Sequence, residues 1–120
     1  MSQAIEGELG RALKVAGLPW RPRRGDRCMD RLGIYWIVLA DGPAQDGGVE
    51  VHNGAVIERR HVLGLCWLPR PDDLLAALHR YGPVTLTGAD GRWACTVGDA
   101  TASGGSPADA AGRVLLALLA

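Results

Sequence analysis

Five arginines, Arg21, Arg23, Arg24, Arg27 and Arg31, crowd the stretch from Trp20 to Arg31 against two aspartates, Asp26 and Asp30. Guanidinium groups at this density could grip phosphates while the Trp20 indole stacks on a base, which is how single-stranded nucleic acid is held. The same charges could instead line a solvated strand edge and keep neighbouring strands from pairing with it. The formal net charge of the chain is zero, which favours the second reading, because nucleic-acid binders usually carry a basic excess. Arg59 and Arg60 add a second, smaller basic pair.

Metal-ligating or nucleophilic chemistry would have to come from Cys28, His52, His61, Cys66, His79 and Cys95. None of the cysteines form a Cys-x-x-Cys pair, and the nearest spacing, His61 to Cys66, is loose for a zinc site. The spacing predicts three free thiols and no metal. Cys95, beside Ala94 in a tryptophan-containing stretch, reads as a small buried hydrophobe. No serine or cysteine stands in a nucleophile elbow or close to a histidine, so no triad is indicated. Asp72 and Asp73 look like paired carboxylates, but a helix start accounts for them through capping and the helix dipole. Ser103-Gly104-Gly105-Ser106 could present amides to a phosphate, yet it lacks the lysine of a P-loop. These patterns predict a non-enzyme without a cofactor.

The elements that would position these residues follow from length and periodicity. With 120 residues, 48% apolar and 22% charged, the chain has the size and balance of a single α+β domain spanning residues 1–120. There is no Phe, so Trp20, Trp36, Trp67, Trp93, Tyr35 and Tyr81 supply all the aromatic bulk. Unpaired cysteines and the lack of a signal-like start predict a reducing, cytoplasmic setting, and no apolar run is long enough for a membrane span.

Ile5, Leu9, Leu13 and Ala16 share a helical face, which predicts a helix over residues 3–16 ended by Gly17. Gly33 to Ala40 reads as a central strand, and Asn53-Gly54 as a two-residue type I′ turn between strands at residues 49–52 and 55–60. A second helix starts with Asp72 as its cap, buries Leu74, Leu75 and Leu78, and stops at Gly82-Pro83. Strands at Val84 to Thr87 and Arg92 to Val97 follow, with a third after Gly98-Asp99. Ser106, Pro107 and Asp109 then open a last helix whose Val114, Leu115, Leu118 and Leu119 must be buried. The order α-β-β-β-α-β-β-(β)-α predicts an antiparallel sheet of short hairpin-connected strands with helices packed on one face.

The last thirty residues carry Trp93, then Gly105, Ser106, Pro107, Asp109 and Ala110, then an Ala-Leu-Leu ending. This resembles the strand-strand-helix ending of small phage and prophage proteins, including phage sandwich domains, and HicB-like antitoxins share a similar helix start. The resemblance implies a mobile-element origin and brings no active site with it.

The expected function is that of a non-catalytic interaction protein, plausibly phage- or prophage-encoded, that binds another protein. Its anchors would be Trp20, Trp67 and the arginines Arg21, Arg23, Arg24, Arg27, Arg59 and Arg60, since Trp and Arg dominate interface energetics. Trp36 and Trp93, inside strands, belong to the core. The alternative is a small nucleic-acid-binding module using the Arg21 to Arg31 segment, which convergence of the arginines on one face would favour. A homodimer through the last helix is also compatible with the sequence.

Overall fold

The structure is a computed structural model that describes residues 5–120, so the first residues of the predicted opening helix lie outside the described residues. Helix α1 spans Gly7–Val15, followed by strands β1 (Arg27–Asp30), β2 (Tyr35–Val38), β3 (Gly48–His52), β4 (Ile57–His61) and β5 (Leu65–Trp67). Helix α2 (Pro71–Leu78), strands β6 (Val84–Ala89), β7 (Arg92–Val97) and β8 (Ala100–Gly104), and helix α3 (Pro107–Leu119) complete an α+β fold with antiparallel sheets. The chain divides into two compact units, one being Pro19–Leu68 and the other the stretch up to Leu18 taken together with Pro69–Ala120. The second unit is thus interrupted in sequence by the first. A hydrogen bond from the Ile5 amide to the Pro69 carbonyl (3.1 Å) ties its two stretches together.

The Pro19–Leu68 unit is a five-stranded sheet in the order β4-β3-β2-β1-β5, a four-stranded meander of β1 to β4 followed by a fifth strand, β5, that returns to pair with β1. Alternation explains its core, because Cys28, Trp36, Val38, Val49, Val51 and Leu65 all point to one face, with Trp20 and Val62 packed against them. Two of these strands are additions to the sequence expectation. The arginine-rich segment contains β1, which lies inside the sheet between β2 and β5 and is not an edge. Only Arg27 is exposed in that strand, and the next three residues are buried.

The β3-β4 hairpin forms where expected, but its turn differs from the type I′ prediction. His52 pairs with Ile57 and the Asn53 amide bonds the Val56 carbonyl, so the tip is Gly54-Ala55, one residue later than Asn53-Gly54. Gly54 has φ +91° and Asn53 keeps a negative φ, because its side-chain oxygen accepts from the Ala55 (3.1 Å) and Val56 (3.0 Å) amides. The carboxamide substitutes for a backbone carbonyl, as in an Asx turn, and removes the need for a left-handed Asn53.

In the other unit, β6-β7-β8 form a three-stranded sheet against which α3 packs, and α3 also contacts α1 and α2. Helix α3 starts as its sequence predicts. The Ser106 hydroxyl accepts from the Asp109 amide (3.0 Å), Pro107 takes the first helical position, and the Asp109 carboxylate accepts from the Gly105 amide (3.2 Å). Ala108, Ala110, Ala111, Gly112, Val114 and Leu115 are buried, whereas Leu118 and Leu119 are only half-buried. Small residues bring the helices close, since a Cβ at Gly112 would sit 2.8 Å from Leu9 Cδ2 on α1. Helix α2 is capped differently from expectation. Arg70 is its N-cap, Pro71 its first residue, and Asp73, not Asp72, reaches back to the Arg70 amide (3.0 Å). Trp93 is half-buried, not fully enclosed in the core, and lies flat over Gly88, its register partner on β6, where any Cβ would collide with the indole.

Leu115 is 1% exposed, so Leu115→Ala removes buried methyl groups and leaves a cavity, and should cost about 2–5 kcal/mol of unfolding free energy. Leu118→Ala, at a half-buried site, should cost clearly less. Chemical denaturation of both variants checks the order, and equal losses would show that the whole C-terminal turn is enclosed.

Candidate functional site

The outer face of the five-stranded sheet is built by the residues that alternate with the core. Register places Arg27, Ile37, His52 and Ile57 directly opposite one another on β1, β2, β3 and β4, so they form one cross-strand row on a single face. Tyr35, two residues before Ile37, shares that face. All of these side chains except the half-buried His52 are exposed. Tyr35 is 52% exposed, Ile37 38% and Ile57 70%, and Val56 at the hairpin tip beside Ile57 is also exposed. At the other end of the face, Arg59 donates both to Asp46 (2.6 and 2.8 Å) and to Glu50 (3.1 Å), its partner in register. The Arg59 hydrogen bonds, with help from the Gly48 amide, hold the Asp46 carboxyl below its ordinary range, and the two carboxylates raise Arg59. The guanidinium lies over Gly48, where any side chain would collide with it.

The core face carries two buried carboxylates, each bound to an indole. Asp30 accepts from Trp36 Nε1 (3.0 Å) and from the Leu32 (2.9 Å) and Ile34 (3.0 Å) amides. Arg60 stands 3.5 Å from Asp30, 2.9 Å from Glu58, and 4.7 Å above the Trp36 ring. Burial pushes the Asp30 carboxyl up, but these donors and Arg60 outweigh it and hold the group below its ordinary 3.8. Asp26 accepts from Trp20 Nε1 (3.0 Å) and the Arg23 amide (3.0 Å), with the Arg23 guanidinium 3.7 Å away. The Trp20 ring, held this way, stacks on Trp67 at 6.2 Å and 8°.

The sequence-derived set is therefore divided. Trp20 and Trp67 meet each other against the core, half-buried. Arg23, Arg59 and Arg60 are engaged with carboxylates, and Arg60 also covers Trp36. Arg21, Arg24 and Arg27 are exposed, as is Arg31, and Arg27 alone among them stands in the outer-face row. Tyr35, Ile37, His52 and Ile57 were missed as a site. The period-2 alternation of Tyr35-Trp36-Ile37-Val38 signalled two faces, but only pairing between strands assembles the row. Cys28, Cys66 and Cys95 are buried free thiols. Burial first, then the nearby Asp26, pushes the Cys28 thiol up to about 12, so it stays protonated and poorly nucleophilic. Among the described residues no group of three His, Cys, Asp or Glu is placed to hold a metal, and no helix is long and apolar enough to cross a membrane.

Asp30→Ala leaves an indole N–H and two amides without their acceptor and takes from Arg60 one of its two carboxylate partners, and should cost about 3–5 kcal/mol. Because the folded-state value of Asp30 is depressed, its contribution is fully present above the unfolded value near 3.8 and is lost as pH falls below it through the folded value. Wild-type stability should therefore fall on acidification below about pH 4, and Asp30→Asn should flatten that limb in denaturant titrations. An unchanged acid limb would assign the pH dependence to other carboxylates. No protein-family model matches this chain, and searches of curated proteins and of solved structures find no significant similarity, so the functional reading rests on its own geometry.

Proposed function

We propose that the chain is a non-catalytic, cytoplasmic binding module of phage or prophage origin whose partner is another protein. The observation that carries this reading is the outer-face row. Tyr35, Ile37 and Ile57 are large apolar side chains held exposed on one face of the sheet, with His52 between the two isoleucines, and exposed apolar side chains gathered on one face and rimmed by polar groups mark an interaction surface. Arg27 ends the row and His52 interrupts it, which suits a partner presenting apolar side chains beside an acidic one. Buried thiols, with that of Cys28 kept protonated, support a non-catalytic role. The mobile-element origin rests on the likeness of the Trp93 to Leu119 ending to phage-type proteins.

Charge allocation weighs against the nucleic-acid alternative. In Pro19–Leu68 seven arginines face six acids, and Arg23, Arg59 and Arg60 are paired with five of them: Asp26, Asp30, Asp46, Glu50 and Glu58. Arg21, Arg24, Arg27 and Arg31 remain exposed, and they with Tyr35 are what the second reading would use.

Affinity capture from a bacterial host lysate, with and without nuclease, separates the two. A protein should be retained after nuclease treatment, and Ile57→Glu should weaken its retention roughly 30-fold or more, the scale of an interface hot spot, with an unchanged thermal midpoint. Retention that disappears with nuclease, survives Ile57→Glu and is lost in Arg21→Ala/Arg24→Ala would transfer the function to nucleic-acid binding.

A further inference from the structure

The two sheets treat their edges differently. In the five-stranded sheet the edge strand β4 carries Glu58, Arg59 and Arg60, and the opposite edge, β5, is only three residues long. Charges and shortness both keep a foreign strand from adding on. In the three-stranded sheet the edge strand β6 runs six residues, Val-Thr-Leu-Thr-Gly-Ala, with no charge and no proline. Its backbone pairs with β7 on one side, and among the described residues no other backbone hydrogen bond reaches Val84–Ala89. Thr85, Thr87, Gly88 and Ala89 are exposed, while Val84 and Leu86 on the other face are half-buried. The second edge, β8, is one residue shorter and likewise uncharged, but the Arg92 guanidinium of β7 reaches across to its Ser103 hydroxyl (3.2 Å) and so places a charge beside it.

We propose that β6 is a self-association edge, pairing antiparallel with β6 of a second copy so that two three-stranded sheets become one of six strands. A second copy fits better than a foreign strand for three reasons. An uncharged strand meets no like charge in its own copy, and it offers no charge or pocket by which to select another sequence. Antiparallel pairing of a strand with itself is closed by a two-fold axis, so it stops at the dimer. With the axis at Leu86, Thr85 of each copy stands against Thr87 of the other on the exposed face and Leu86 against Leu86 on the opposite face, both favourable cross-strand pairs. The half-buried Val84 and Leu86 then lose their remaining exposure.

Sedimentation equilibrium of the full chain, from about 1 µM to several hundred µM, tests this by mass action. The weight-average mass should rise from 12.7 kDa toward twice that value. Thr85→Lys/Thr87→Lys, which places two charges on the exposed side of the edge, should stay monomeric with an unchanged thermal midpoint at low concentration, and Leu118→Lys on α3 should dimerise as the wild type does. Hydrogen exchange on the unmodified chain gives an independent measure, since outward β6 amides should gain protection with rising concentration. A wild type that stays at 12.7 kDa throughout, a lysine variant that dimerises equally, dissociation by Leu118→Lys instead, or β6 amides whose exchange ignores concentration would each overturn the proposal.

Discussion

The Pro19–Leu68 unit depends on keeping the Asp30 carboxylate ionised out of water. Asp30 is 3% exposed, and a buried charge is tolerable only when its lone pairs are met. The two backbone amides that meet it, Leu32 and Ile34, fold the β1-β2 connection over the carboxylate, and Gly33 with φ +84° lets the chain make that bend. The third donor is Trp36, whose indole is thereby fixed in the core. Arg60 then lies over the indole and beside the carboxylate, which couples β4 to β1 and β2 although β4 is not their neighbour in the sheet. One anion thus sets the turn, the main aromatic of the core and the orientation of a distant strand.

Asp26 repeats the device at the start of β1. Its carboxylate holds the Trp20 indole and the Arg23 amide, and Trp20 in turn stacks on Trp67 of β5, so the segment leading into the sheet is closed onto the strand that ends it. These demands explain why a segment rich in arginine is not simply a basic patch. Its two aspartates are internal acceptors and two of the unit's tryptophans are their donors, which withdraws both residue types from the surface. What remains outside is set by alternation: side chains between the core positions of β2 to β4 face outward together with Arg27 of β1, and they include Tyr35, Ile37 and Ile57, whereas Met29 on the same side of β1 is buried. The functional proposal follows from that surplus of apolar surface.

The other unit is organised by a helix cap. Ser106 and Asp109 terminate β8 and start α3 within three residues, and the following small side chains, Ala108, Ala110, Ala111 and Gly112, allow α3 to approach both its sheet and α1 closely. Close approach needs small residues on the sheet as well, and Gly104 leaves room for the Asp109 carboxylate. Trp93 occupies the corresponding space over Gly88 at the other side of β7, a glycine-tryptophan exchange of volume across paired strands. The small and β-branched residues that satisfy this packing also leave β6 without charge.

Local rules alone determined much of this protein. The α+β class, the α3 start at Ser106-Pro107-Asp109, the hairpin near Asn53 and the leucine face of α2 were legible because caps, turns and periodicity act over a few residues. Strands β1 and β5 were not, since β1 has only four residues among arginines and β5 only three, and each is stabilised by pairing with the other across the length of the unit. The Asn53 turn slipped by one residue because a side-chain oxygen competed with the backbone for the same amides. The candidate surface was legible only in part: Tyr35 and Ile37 are adjacent on one strand, but joining them to His52, Ile57 and Arg27 takes a register fixed by three separate strand pairings. Which arginines are free for a partner was likewise decided by tertiary structure, because an ion pair depends on distance in space, and Arg60 lies thirty residues from the aspartate it serves.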